Sequence, residues 1–150
     1  MYSDVLLATD GSECARAATT HAIDLAATYG ATLHALYVME TRTGYDSDIV
    51  DPATIEDELR AEGEAVLEGV SDESRARDVA LVDRIRKGVP EREIADYVEA
   101  EDVDIVVLGS RGESAFKTVL LGSTSEALVR DLSVPVVLVS DGDGETESTA

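Results

Sequence analysis

Short β-rich runs alternate with longer helix-period stretches along almost the whole chain, and this alternation limits the available folds more than any other feature. Val5-Leu6-Leu7-Ala8 is apolar without interruption and stops at Thr9-Asp10-Gly11-Ser12; Ile105-Val106-Val107-Leu108 stops in the same way at Gly109-Ser110. A half-exposed strand would alternate apolar with polar residues, whereas a continuous run suits a strand covered on both faces of a parallel sheet. Thr32–Val38 and Val134–Val139 read as two further strands. Val79–Arg86 alternates instead, with Val79, Leu81 and Ile85 on one face, and is predicted to lie at a sheet edge.

The intervening stretches have helical spacing. Ala18, Ala22, Leu25 and Tyr29 mark a helix from about residue 12 to 29, closed by Gly30, with Asp10 and Glu13 or Ser12 alone as its cap. Asp51-Pro52 starts a second helix, to about Val70, after a polar loop over 40–51. Pro90 opens a third carrying Ile94, Tyr97 and Val98, and a fourth runs from about Thr124 to Arg130. Five strands separated by four helices predict a doubly wound α/β fold around a parallel sheet, with no internal repeat. Chemistry in such folds sits beyond the carboxyl ends of the strands, where strand order reverses.

Composition narrows the class. At 150 residues with 44% apolar content the chain suits one domain with a real core, roughly 68–70% of the unfolded surface being buried at this size. Its net charge of −20 excludes a basic nucleic-acid binder and disfavours anionic membrane surfaces. With two lysines against ten arginines, this acidity points to a salt-loving source, since concentrated salt screens the self-repulsion; an ordinary acidic cytosolic protein is the plainer alternative. A single cysteine, Cys14, fits a reducing compartment. No apolar run is long enough to span a bilayer, and the first residues lack the basic and apolar regions of a signal peptide, so a soluble cytoplasmic domain is expected. Asp141–Ala150 carries four acids and no large apolar residue and is expected to be a disordered tail.

The strongest chemical constellation follows the fourth strand: Gly109-Ser110-Arg111-Gly112, nine residues, then Gly122-Ser123-Thr124-Ser125. Glycines let a backbone approach a ligand closely. Ser123 with Glu126 has capping-box spacing, and the amides and dipole of a helix start suit an anion. From Gly109 to Ser125 the charges are Arg111, Glu113 and Lys117, a net of +1 within a strongly anionic chain. These features describe a phosphate cradle. Asp10, at the end of the first strand, has two chemistries open to it: accepting hydrogen bonds from a ribose, or holding a metal near phosphates. Its plain alternative is a helix cap. His21 and His34 lack ligand spacing, no Walker Gly-Lys-[Ser/Thr] or G-x-G-x-x-G occurs, and no carboxylate pair suggests acid–base catalysis.

The spacing G-x-x-G, nine residues, G-[S/T], read at Gly109, Gly112, Gly122 and Ser123, resembles that of the ATP-binding universal stress proteins. The opening Asp4–Ser12 and the closing Val134–Val139 are similar to the first and last strands of that family, so the resemblance covers about residues 1–140. It implies strand order 3-2-1-4-5 and a homodimer pairing through the fifth strand, Val136–Val139. It places adenine recognition near Thr9, Asp10 and Val38, and ribose and phosphates on Gly109, Arg111, Gly112, Gly122, Ser123, Thr124 and Ser125. The implied ligand is ATP, with or without Mg²⁺, and the implied role a dimeric stress-response or signalling module with little or no hydrolysis. A slow Mg-dependent ATPase or phosphotransferase, and a nucleotide-free dimerising scaffold, are the alternatives.

Overall fold

Val5, Leu6 and Leu7 are completely buried, because the strand that carries them is the middle of the sheet. The structure, a computed structural model, describes residues 2–40, 52–110 and 122–140. Its elements are β1 (Asp4–Ala8), α1 (Glu13–Tyr29), β2 (Thr32–Glu40), α2 (Pro52–Ala76), β3 (Leu81–Gly88), α3 (Pro90–Ala100), β4 (Ile105–Gly109), α4 (Ser123–Asp131) and β5 (Val136–Val139). The sheet is parallel throughout with order β3-β2-β1-β4-β5. Leu6 lies opposite His34 of β2 on one side and Val106 of β4 on the other.

Succession runs outward from β1 through β2 to β3, then crosses back to β4 and β5. Right-handed crossovers therefore put α1 and α2 on one face and α3 and α4 on the other. Two core layers follow. On the first, Ala18, Ala22 and Ala26 of α1 and Leu67 and Val70 of α2 cover Val5, Leu7, Leu33 and Ala35. Alanine at every fourth position lets α1 lie close to the sheet. On the second, Ile94, Tyr97 and Val98 of α3 and Leu128 of α4 cover Leu6, Leu36, Val106 and Leu108. Each large side chain so buried contributes on the order of 1.5–3 kcal/mol. Among the described residues, no helix is long and apolar enough to cross a membrane.

Several boundaries differ from the reading of the sequence: β2 extends past Val38 to Glu40, and β3 spans Leu81–Gly88 rather than Val79–Arg86. Helix α2 runs past Val70 to Ala76, because its polar last turns are ended by Asp78 rather than by loss of apolar period. Asp78 takes a left-handed φ of 56°, and Val79 N then reaches Ser74 O at 2.9 Å. Strand β5 begins at Val136, not Val134: Pro135 has no amide for the ladder, although its carbonyl accepts from Val106 N at 3.0 Å. Helix α4 begins at Ser123, a residue earlier than expected, with consequences for the site below.

His34, which lacks ligand spacing, is buried in β2 between two partners. Its Nδ1 lies 2.7 Å from the Tyr97 hydroxyl of α3 and its Nε2 2.9 Å from Asp4 Oδ1 of β1. An Nε2–H tautomer satisfies both, donating to the carboxylate and accepting from the phenol. Burial raises the Tyr97 phenol above its usual range, and the Arg86 guanidinium stacks 5.0 Å over its ring. Beneath the same end of the sheet, Asp104 Oδ2 accepts the amides of Ser3 and Asp4 at 2.8 and 2.9 Å.

Candidate functional site

The reversal of strand order falls between β1 and β4, so their carboxyl ends open onto one crevice. Thr9 N donates to Leu36 O at 3.0 Å, carrying the β1 ladder one residue further, and the chain then turns sharply. Thr9 Oγ1 accepts Gly11 N at 3.2 Å and Asp10 Oδ1 accepts Ser12 N at 3.0 Å. Gly11 has φ +81°, and a Cβ there would stand 2.8 Å from Val66 Cγ2 of α2, so both conformation and space require glycine. Ser12 is the α1 cap, its Oγ accepting Ala15 N at 3.2 Å. The two capping alternatives are thus resolved: Ser12 caps, and Asp10 forms the turn before it.

Across the crevice, Gly109 ends β4 with its Cα against the first turn of α1. A Cβ would lie 2.7 Å from Cys14 Cβ, 2.8 Å from Cys14 C and 2.9 Å from Ala15 N. The expectation that this glycine serves close approach to a ligand acquires a structural counterpart: the absent side chain admits a helix. Ser110 N donates to Val139 O of β5 at 2.9 Å, and Ser110 O accepts Gly122 N at 2.8 Å, which brings the start of α4 directly to the end of β4.

The Ser123–Glu126 capping box does not form. Gly122 is the N-cap, with φ −75° and ψ 166°, and no side chain caps the helix. Starting one residue earlier puts Glu126 at the fourth helical position, where it cannot reach back to the cap. The amides of Ser123, Thr124 and Ser125 belong to the first turn, which a helix cannot satisfy internally. They carry the positive end of the dipole toward the crevice. Ser123 is exposed and Thr124 half-buried, whereas Ser125 is buried and its Oγ donates to Gly109 O at 2.8 Å.

Val38 lies on β2 two residues beyond Leu36, half-buried against the layer formed by α3 and α4. With β2, β1 and β4 adjacent, Val38, Thr9, Asp10 and Gly109 share one rim of the sheet, about 10 Å across at the spacing of parallel strands. Gly122, Ser123, Thr124 and Ser125 stand beside it. Arg111 and Gly112 lie outside the described residues, as do Lys117, most of the 40–51 loop and the 141–150 tail. Among the described residues no group of three His, Cys, Asp or Glu side chains could hold a metal. A groove of about 510 Å³ between α2 and β3, lined by Arg60, Leu67 and Arg84 among others, involves none of the candidate residues. Reading the sequence missed Ser110, whose carbonyl anchors α4; nothing but its place beside Gly109 could have signalled it.

These features define a doubly wound α/β domain whose switch-point crevice is floored by a glycine-ended strand and walled by an uncapped helix start. The universal stress protein family model matches residues 1–140, and the chain belongs to that family. A universal stress protein of Methanocaldococcus jannaschii is 30% identical over 145 residues, covering 93% of this chain and 82% of its own. Among solved structures, MJ0577 of the same organism matches with a TM-score of 0.81 at 29% identity, over 93% of this chain and 96% of that one. A universal stress protein family member of Arabidopsis thaliana, solved with AMP bound, matches with a TM-score of 0.67 at 20% identity over 96% and 95% of the two chains, a likeness of fold.

Proposed function

We propose that this chain is an ATP-binding universal stress protein, a stress-response or signalling module whose output is a nucleotide-dependent conformation or contact rather than turnover. The observation that carries the reading is the uncapped start of α4, tied to the end of β4 by the 2.8 Å bond from Gly122 N to Ser110 O. That geometry gathers first-turn amides at the switch point, where a phosphate chain would satisfy them. Thr9, Asp10 and Val38 would flank adenine and ribose, while Gly109, Arg111, Gly112, Gly122, Ser123 and Thr124 would take ribose and phosphates. The AMP bound by the Arabidopsis relative supports an adenine nucleotide as the ligand class. A Mg²⁺ ion accompanying ATP would be held by the Asp10 carboxylate, whose Oδ1 also accepts Ser12 N.

The β5 strand is the end of the sheet order, and Val137 on it is 37% exposed. A second copy adding its own Val136–Val139 there would bury that edge, which supports a homodimer. The charge of −20 supports a cytoplasm of high salt as the working medium.

Mass spectrometry of nucleotide released when the purified protein is denatured tests the ligand, with ATP or another adenine nucleotide expected. Calorimetry on Gly122→Val tests the cradle. Its backbone angles suit valine; with an unchanged melting temperature as the check on the fold, ATP affinity is expected to fall by about tenfold or more, the cost of displacing one charge-assisted hydrogen bond. Unchanged affinity would refute this placement of the phosphates.

A further inference from the structure

We infer that Ser125 is a positioning residue rather than a phosphate ligand: its hydroxyl fixes the direction of the α4 amides by gripping the last carbonyl of β4. A serine inside a helix ordinarily returns its hydroxyl to a carbonyl of its own preceding turn. Here Ser125 Oγ instead donates to Gly109 O, 2.8 Å away and 16 residues earlier in the chain. Ser125 is 3% exposed and Gly109 half-buried, so the bond is partly shielded from competing water. Gly122 N donates to the very next carbonyl, Ser110 O, also at 2.8 Å. Two successive carbonyls at the end of β4 thus hold two points of one helical turn, and two points set a direction where one would leave a pivot.

The strand end is itself immobilised. Gly109 is wedged against Cys14 and Ala15 of α1, and Ser110 N is bonded to Val139 O of β5. Ser125 therefore ties α4 to a point already fixed by α1 and the sheet. Without the hydroxyl, Gly122 remains attached and the turn rotates about it, moving the amides of Ser123 and Thr124 away from any phosphate between them. The inference rests on the nucleotide reading above, and it separates the phosphate end of the ligand from the nucleoside end.

The test is calorimetry of ATP and of adenosine on the wild type, S125A, S125C and S125T. S125A is expected to bind ATP about tenfold more weakly, the scale of one buried hydrogen bond, and adenosine within about twofold of wild type at the same scale. S125T, which keeps the hydroxyl, restores ATP affinity, and S125C, a weaker donor of nearly the same shape, falls between. A merely structural loss would weaken both ligands together, and that result overturns the inference, as does full ATP affinity in S125A. Should S125A not fold, the graded order of S125T over S125C for ATP alone decides the matter. A wild type that binds neither ligand overturns the nucleotide reading itself; a wild type that binds ATP beside an S125A of equal affinity overturns only the role of Ser125.

Discussion

Gly109→Ala reports directly on the packing that forms the crevice. The added Cβ would meet three atoms of α1 at 2.7, 2.8 and 2.9 Å, two of which are backbone. No rotamer change relieves such contacts, so the first turn of α1 or the end of β4 has to shift. Overpacking of this kind costs about 1–3 kcal/mol, from which the lower backbone entropy of alanine returns about 0.5–1. A net loss on the order of 1 kcal/mol, the middle of that range, lowers the melting temperature by about 2–4 °C in a chain of this size. Gly69→Ala is the matched control: it lies within α2, nothing stands within 4 Å of its Cβ, and helix propensity alone applies. That substitution is expected to stabilise by about 0.8–1 kcal/mol. Thermal denaturation of both variants at one fixed salt concentration reads the two signs. Gly109→Ala melting at or above the wild type would show that the strand end is free of α1 and that this glycine has another purpose.

Two further outcomes follow from charge. The amides of Ser3 and Asp4 hold the Asp104 carboxyl below its ordinary value of 3.8. A depressed folded-state value contributes stability that is fully present above the unfolded-state value and is lost as pH falls through the folded one. Asp104→Asn is therefore expected to be less stable than wild type at neutral pH, with the difference shrinking below about pH 4; denaturant midpoints at both pH values check this, and a gap independent of pH would contradict it. The charge of −20 predicts a melting temperature that rises with KCl between about 0.1 and 1 M, over which the screening length falls from about 10 to 3 Å. A flat profile would remove the case for a salt-adapted protein.

The architecture was legible because it is written in local signals: Val5–Ala8 and Ile105–Leu108 are apolar on both faces, and only a central parallel strand has both faces to cover. The alternation over Val79–Arg86 marked an edge by the same logic, and the strand found there, Leu81–Gly88, ends the sheet order. The described candidate residues were legible as neighbours at one rim of the sheet but not in their contacts, since spacing along a chain does not say which way a side chain turns. Ser12, Asp10, Ser123 and Ser125 are all residues that cap helices, yet one caps, one shapes a turn, one stands exposed and one reaches a distant carbonyl. A one-residue shift of the helix start accounts for the last two: with Gly122 as the cap, Ser125 occupies the third helical position and faces the sheet. Gly109 carries the same lesson in backbone terms. A glycine in a ligand motif invites the inference that a ligand needs the space, and here the space is already filled by Cys14 and Ala15. In the nucleotide-binding function proposed above, its contribution runs through the fold: close packing of α1 on β4 fixes the strand end, the strand end holds α4, and α4 would present the amides.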